Sequence, residues 1–251
     1  MKTLNKVAEI TLLFWLMKII ATTLGETLGD FISMTLNLGY GTGLLITLAF
    51  FLVVLVVQLR SKKFIPLYYW LVIIATTTLG TEISDFIDRS LGMGYTYGSL
   101  LLLILLAAAL YIWYRTYKNV NVYPINETPK ELLYWTAILF SNSLGTAFGD
   151  YLSDNIGLSY GIGALVTASI IFLVIVLHNF TRINQIVLFW IAFIFTRPFG
   201  ATFGDFLTKP LSKGGLDLGT LPASIVSALL LALLIYISYK KLKTESTKIL
   251  P

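Results

Sequence analysis

Residues 15–30 have the sequence WLMKIIATTLGETLGD, and the pattern in this stretch decides the fold. A Trp is followed after nine residues by Gly, and after three more residues by Gly or Ser and then Asp. The same pattern begins again at Trp70, Trp135 and Trp190, each time inside an apolar segment. Fixed spacing of this kind predicts an internal repeat, here in four copies.

The composition is that of a membrane protein. Of the 251 residues, 57% are hydrophobic and 12% are charged, and the mean hydropathy is +0.81. A soluble domain would be less apolar. A bilayer-spanning helix needs about 20 mostly apolar residues, and eight runs of suitable length occur. They lie near residues 8–31, 41–59, 66–87, 98–114, 132–153, 161–179, 186–207 and 219–238.

These runs predict an all-α membrane protein with eight transmembrane helices, forming a single domain over residues 1–251. Because each repeat contains two spans, the four repeats should be parallel, with their motif helices around a shared centre. The first run is too long for a cleavable signal peptide and is expected to be retained. The predicted repeats cover about residues 6–60, 61–116, 130–180 and 181–240, with a linker at 117–129.

The basic residues are distributed unevenly between the predicted loops. The richer side is cytoplasmic by the positive-inside rule, so both termini are expected in the cytoplasm. The rule also accounts for the net charge of +5 without a nucleic-acid partner. The richer side holds Lys2, Lys6, Arg60, Lys62, Lys63, Arg115, Lys118, Lys130, Arg182, Lys240, Lys241, Lys243 and Lys248; the other holds Arg89, Lys209 and Lys213.

One Asp in each repeat is a candidate functional residue, because ionisable side chains in membrane helices are costly and usually serve a purpose. Carboxylate and hydroxyl oxygens favour hard cations such as Mn²⁺, Mg²⁺, Ca²⁺ or Na⁺. With no Cys and only His178 as a nitrogen ligand, Zn²⁺ and copper are not expected. The predicted metal ligands are Asp30, Asp85, Asp150 and Asp205, supported by Glu26 and Glu82.

Two basic residues inside the motif helices break the four-fold equivalence. Lys18 has no basic counterpart in the other repeats, and Arg197 stands where they have Thr22, Thr77 and Asn142. We expect both cations to compensate the carboxylates when no metal is bound, with Lys18 next to an acidic partner. This asymmetry favours a transport site over a symmetric pore.

Small residues at a spacing of four predict close packing of the motif helices, because such stripes let helix backbones approach in lipid. They are Gly25, Gly29, Gly80, Ser84, Gly145, Gly149, Gly200 and Gly204. At about 100° per residue the Asp lies beside the stripe rather than on it. It is therefore expected to face a central polar cavity.

Residues 18–30 (KIIATTLGETLGD) and 196–210 (TRPFGATFGDFLTKP) resemble a family of bacterial polytopic integral membrane proteins described only as uncharacterised and membrane-anchored. The resemblance covers essentially the whole chain. It implies a location in the bacterial inner membrane and carries over no activity.

Two shorter resemblances concern cation transport. Residues 26–30 (ETLGD) are similar to the Glu-x-Gly-Asp motif of a manganese and calcium exporter family, with one extra residue here. Gly39-Tyr40-Gly41 resembles a potassium-channel filter, without the Thr-Val that precedes such filters.

These features predict a membrane transporter of a hard cation, most of all a divalent metal of the Mn²⁺ class, with protons as a candidate for exchange. The alternatives are a pseudo-four-fold cation channel with Gly-Tyr-Gly turns at its constriction, and a non-transporting structural or receptor protein. No nucleophile with its base, phosphate-binding loop or dinucleotide fingerprint occurs. We therefore expect no enzymatic activity, no catalytic residues and no cofactor. The expected partners are the lipid bilayer and an inorganic cation, and the sequence sets no oligomeric state.

Overall fold

The computed structural model describes the backbone of residues 5–249 and the side chains of residues 5–241. Of the basic residues used to predict the topology, Lys2 and the side chains of Lys243 and Lys248 lie outside the described part. All the regular secondary structure of the described residues is helical. Its α-helices are α1 (Leu12–Asp30), α2 (Gly39–Arg60), α3 (Pro66–Asp85), α4 (Gly94–Tyr117), α5 (Thr128–Asp150), α6 (Tyr160–Phe180), α7 (Gln185–Thr208) and α8 (Thr220–Ile249).

Seven of these eight helices are long and apolar enough to cross a membrane, which confirms the prediction of a multi-pass membrane protein in its general form. The exception is α5, whose second half contains the buried polar residues Ser141, Asn142, Ser143 and Thr146. These polar side chains lower the hydropathy of α5, and their burial shows that they pack inside the protein. The motif is nevertheless placed in α5 as it is in α1, α3 and α7.

The four motif helices, α1, α3, α5 and α7, form an inner layer. Each packs against two others, in the order α1, α3, α5, α7 and back to α1. Aromatic rings near their N-terminal ends contact one another: the ring centroids of Phe14 and Trp70 are 5.7 Å apart, and those of Tyr69 and Trp135 are 5.4 Å apart. The motif Asp residues lie at the opposite ends of these helices. The motif helices therefore close into a ring, with the motif tryptophans among the aromatic residues near one end.

Each outer helix packs mainly against the motif helix of the next repeat, not of its own. Thus α2 packs on α3, α4 on α5, α6 on α7, and α8 returns to α1. In the most apolar part of α2, α4 and α6, 28% of the residues are buried, compared with 61% in α1 and α7 and 72% in α3. The apolar outer surfaces are suited to contact with lipid.

The helical backbone continues beyond the motif Asp in all four repeats, but its form differs. A five-residue π-helical segment follows Asp30, Asp85 and Asp150 directly, whereas α7 runs on as an α-helix to Thr208. Such segments often occur at functional sites, where they reorient side chains. They comprise Phe31–Thr35, Phe86–Ser90 and Tyr151–Asn155.

The Gly-Tyr-Gly stretch is not the open turn expected from the sequence. Gly39, Tyr40 and Gly41 form the first turn of α2, and the corresponding stretch in the second repeat begins α4 at Gly94. Backbone carbonyls in an α-helix accept hydrogen bonds from residues four positions later. They are therefore committed within the helix rather than free to line a constriction.

The predicted linker at 117–129 is attached to the bundle. The Lys6 N–H donates to the Ile125 carbonyl (2.9 Å), and the Ile125 N–H donates to the Asn5 side chain (2.9 Å). The Lys6 ammonium forms an ion pair with Glu131, and Gln58 donates to the same carboxylate (2.8 Å). These bonds tie the N-terminal segment to the end of α2 and the start of α5.

Candidate functional site

The four motif Asp residues lie in one acidic layer, and two cations bridge them in pairs. The Lys209 Nζ lies 2.5 Å from Asp30 Oδ2 and 3.3 Å from Asp205 Oδ1. The four Asp residues are nearly inaccessible to solvent. We call Glu26, Asp30, Asp205, Arg197 and Lys209 the Lys209 half of the site, and Asp85, Asp150, Asp154 and Arg89 the Arg89 half.

The Arg89 half is held together by one guanidinium. Its Nε lies 2.9 Å from Asp85 Oδ1, its Nη2 lies 3.2 Å from Asp150 Oδ2, and the more exposed Asp154 is 3.9 Å away. Arg89 Nη1 also donates to the Tyr40 hydroxyl (3.0 Å). One planar group thus connects side chains from α3, α5, α2 and the segment after α5.

Sequence reasoning missed the role of Arg89 and Lys209, which it treated only as loop residues that set the topology. Each lies four residues after the Asp of its own repeat, and this spacing brings side chains together on one face of a helix. Repeats one and three have Met34 and Asp154 at that position, so the basic residue occurs in alternate repeats. This alternation in the sequence could have been used to predict that the two basic residues contact the motif Asp residues.

Lys209 is held by charge and remains partly open to solvent. Burial acts to lower the pKa of its ammonium, but Asp205 and Asp30 raise that pKa above its ordinary value. Lys209 is therefore protonated at neutral pH. Its side chain is 19% exposed, against 4% for that of Asp30 and 6% for that of Asp205. The ammonium thus lies between the buried carboxylates and the solvent.

Glu26, Asp30 and Asp205 form the most compact acidic group of the site. Each offers an oxygen, and these three atoms lie within 4.8 Å of one another. Ligand oxygens about 2.0–2.6 Å from a metal ion can be no more than about 5 Å apart. One ion could therefore contact all three. Gly204 makes room for Glu26, because a Cβ there would lie 3.1 Å from the Glu26 side chain.

Arg197 fills the centre of the ring behind this cluster. Its Nη2 lies 2.9 Å from Glu26 Oε2 and donates to Thr81 Oγ1 (2.5 Å), while its Nη1 donates to the Thr22 carbonyl (3.3 Å). The Arg197 stem packs so closely on Gly145 that a Cβ there would lie 2.5 Å from it. A side chain of α7 therefore contacts α1, α3 and α5, and its acidic partner is Glu26.

Lys18 has an amide partner, not the acidic one expected. Its ammonium donates to Asn142 Oδ1 (2.9 Å) and lies 4.1 Å from the centroid of the Phe193 ring. Asn142 donates in turn to Thr76 (3.1 Å). Glu26, the only carboxylate that contacts Arg197 among the described residues, pairs with that guanidinium and not with Lys18. Lys18 and Arg197 lie at different depths along the ring axis, and both fill its centre. Side chains therefore occupy this part of the space that the sequence predicted as a central cavity.

The small residues of the motif lie where neighbouring inner helices touch. A Cβ on the first glycine of each motif would collide with the next inner helix: Gly25 faces Thr77, Gly80 faces Asn142, Gly145 faces Arg197, and Gly200 faces Thr22. The second small residues repeat the pattern: Gly29 faces Thr81, Gly149 faces Ala201, and Gly204 faces Glu26, while Ser84 is buried and donates to Asp88. The glycines let the ring close around Arg197 and Lys18.

Glu82 does not join the acidic cluster. It is fully buried on α3 and faces α2, where a Cβ at Gly43 would lie 2.5 Å from its Oε2. Asp88 faces Gly98 of α4 in a related way, but it accepts a hydrogen bond from Ser84 (3.2 Å). The two side chains lie at interfaces between inner and outer helices.

Four consecutive segments of the chain match the family model described as Repeat of Unknown Function (DUF347): residues 13–64, 68–119, 133–184 and 188–244. The chain belongs to this family. Each matched segment of the DUF347 protein contains one motif Asp, so the four internal repeats predicted from the sequence are confirmed. No curated protein and no solved structure matches the chain.

Proposed function

We propose that this DUF347 protein transports a hard divalent cation, of the Mn²⁺ class, across a membrane through the Lys209 half of the site. The observation that carries the proposal is the cluster of Glu26, Asp30 and Asp205, whose oxygens lie within 4.8 Å of one another beneath a bridging ammonium. Oxygen-only ligand sets of this kind suit hard cations.

The charges in the Lys209 half support a divalent substrate. When all three are ionised, its carboxylates carry three negative charges, and Arg197 supplies one positive charge next to Glu26. A divalent cation in place of the Lys209 ammonium would leave the group neutral, whereas a monovalent cation would leave it negative. Uncompensated charge is costly in a buried site, so the neutral combination is favoured.

Lys209 acts in this proposal as a tethered substitute for the substrate. Its ammonium bridges Asp30 and Asp205 when no metal is bound, and its partial exposure lets it withdraw toward solvent when the ion enters. A compact ammonium on a flexible stem is suited to such exchange. The Arg89 guanidinium, with several partners in a fixed geometry, is suited to stay in place.

Transport by this route requires the inner helices to rearrange. Arg197 and Lys18 fill the ring centre, so an ion leaving the carboxylates cannot continue through an open pore. This favours a slow, saturable transporter over the channel alternative. Gly39-Tyr40-Gly41 begins α2, so its carbonyls belong to a helix and do not support the channel filter of the alternative hypothesis.

The orientation follows from the loop charges and belongs to the same proposal. The four repeats cross the bacterial inner membrane in parallel, α5 included, with both termini in the cytoplasm. The aromatic ends of the motif helices then face the cytoplasm, and the acidic layer faces the outside of the membrane. Contacts among the aromatic residues at one end and ion pairs among the acidic residues at the other support the parallel arrangement.

The test compares two Asp residues that have the same place in the repeat. Asp30→Asn should weaken Mn²⁺ binding by about 100-fold and abolish Mn²⁺ flux, because it removes one of three charged ligands. Asp150→Asn is the matched control in the Arg89 half and should change Mn²⁺ affinity by only a few-fold. Binding would be measured by calorimetry on purified protein, and flux with a Mn²⁺-sensitive dye in proteoliposomes.

Two results would reject this assignment. Unchanged Mn²⁺ binding in Asp30→Asn would exclude the three-carboxylate site, and equal losses in both variants would require a substrate site spanning the whole ring. Flux of K⁺ or Na⁺ without Mn²⁺ in the wild-type protein would favour the channel.

A further inference from the structure

The Glu82 carboxyl is buried without a charged partner. Its residue is 0% exposed, and neither of its oxygens forms a hydrogen bond of good geometry among the described residues. The polar group that faces it is the Ser33 hydroxyl, which donates its own proton to the Gly29 carbonyl (2.9 Å). Gly43, on α2, provides the space into which the carboxyl fits. A buried polar group without a partner calls for an explanation.

The acidic charges that act on Glu82 oppose its ionisation. They belong to Asp30 and Glu26 of α1 and to Asp85 of its own helix. The cation at the ring centre, Arg197, is paired with Glu26 (2.9 Å). From α2 it meets Gly43, and from the segment after α1 it meets Ser33, neither of which is charged. An unpaired carboxylate in such a place is strongly disfavoured, whereas the protonated acid is neutral.

The other repeats place a neutral residue at this position. The counterparts of Glu82, twelve residues after the motif Trp, are Thr27, Ala147 and Thr202. Thr202 has the corresponding glycine opposite it, because a Cβ at Gly163 would lie 3.2 Å from its methyl group. The interface is therefore built for a neutral side chain, and repeat two fills it with one that can carry a proton.

We infer that Glu82 is a proton-binding site, protonated in this conformation, which releases its proton when a divalent cation occupies the Lys209 half. A divalent ion among Glu26, Asp30 and Asp205 would offset the negative charge that disfavours ionised Glu82. Because linkage is reciprocal, a proton on Glu82 would in turn weaken cation binding. The coupling rests on the proposed function, and its result is exchange of the cation for a proton. The protonation state of Glu82 itself does not depend on that function.

The first experiment detects the protonated carboxyl directly. Infrared spectra of the purified protein in nanodiscs at neutral pH should contain the C=O stretch of a protonated carboxyl. That band should be lost in Glu82→Gln and kept in Glu127→Gln, which alters an exposed carboxylate on the same chain. If Glu82→Gln does not fold, Glu82→Thr replaces it, since Thr is the natural residue in repeats one and four. An unchanged band in the variant would overturn the inference.

The second experiment counts protons during metal binding. Mn²⁺ binding to the wild-type protein, followed by calorimetry in buffers of different ionisation enthalpy, should release about one proton more than binding to Glu82→Gln. Equal release would overturn the coupling. Should the wild-type protein bind no Mn²⁺, the proposed function would fail, while the infrared measurement would still decide the state of Glu82.

Discussion

The two halves of the acidic layer have the same plan and different chemistry. Each joins the Asp residues of two neighbouring inner helices through a basic residue four positions after one of them. The Lys209 half adds a third buried carboxylate, Glu26, at a position where repeats two and three have Thr81 and Thr146. The Arg89 half instead recruits Asp154 and Tyr40 near the surface. Two buried residues, Glu26 and its partner Arg197, thus distinguish the compact acidic cluster from the Arg89 half.

The largest effect on stability is expected at Arg197, which connects the Lys209 half to the centre of the ring. Arg197→Met should leave Glu26 buried and unpaired, and should lower the free energy of unfolding by about 3–5 kcal/mol. The double variant Arg197→Met/Glu26→Gln should recover most of that loss, because it removes both charges. Thermal unfolding in detergent would measure all three proteins. Recovery by Asp205→Asn instead of Glu26→Gln would assign Arg197 to a different partner.

A smaller effect should separate the two bridging cations. Lys209→Met, which introduces the residue that repeat one has at Met34, should raise Mn²⁺ affinity about ten-fold, equivalent to about 1.4 kcal/mol. The reason is that the ion no longer competes with a tethered ammonium. Arg89→Met is the matched control and should not raise the affinity. Calorimetric titration of both variants makes the comparison, and an equal gain in both would show that the halves are equivalent.

The smallest effect on stability should come from Asp154, the most exposed residue of the Arg89 half. Asp154 is 40% exposed in its side chain and lies 3.9 Å from Arg89, so Asp154→Met should change the free energy of unfolding by no more than about 0.5 kcal/mol. Chemical denaturation of the purified protein would measure it. A loss of several kcal/mol would mean that the Arg89 half depends on all three of its carboxylates.

The sequence by itself determined the class, the repeat and the ring. Spacing from Trp15 to Asp30, repeated three times, predicted four equivalent helices, and the small residue at Gly25 and its counterparts predicted their close packing. These predictions depend on the period of a helix and on the number of apolar residues needed to cross a bilayer. Both are local properties of the chain.

Only the tertiary structure decided which charges meet. Arg197 contacts Glu26 across 171 residues of sequence, and Lys209 contacts Asp30 across 179, because the last repeat closes the ring against the first. Lys18 reaches Asn142 on another inner helix for the same reason. Tertiary packing also separates Glu82 from the acidic cluster, because α2 packs against α3 of the next repeat and Glu82 faces Gly43 of α2. Pairing energies between charges depend on their distances, which the sequence of each helix does not contain.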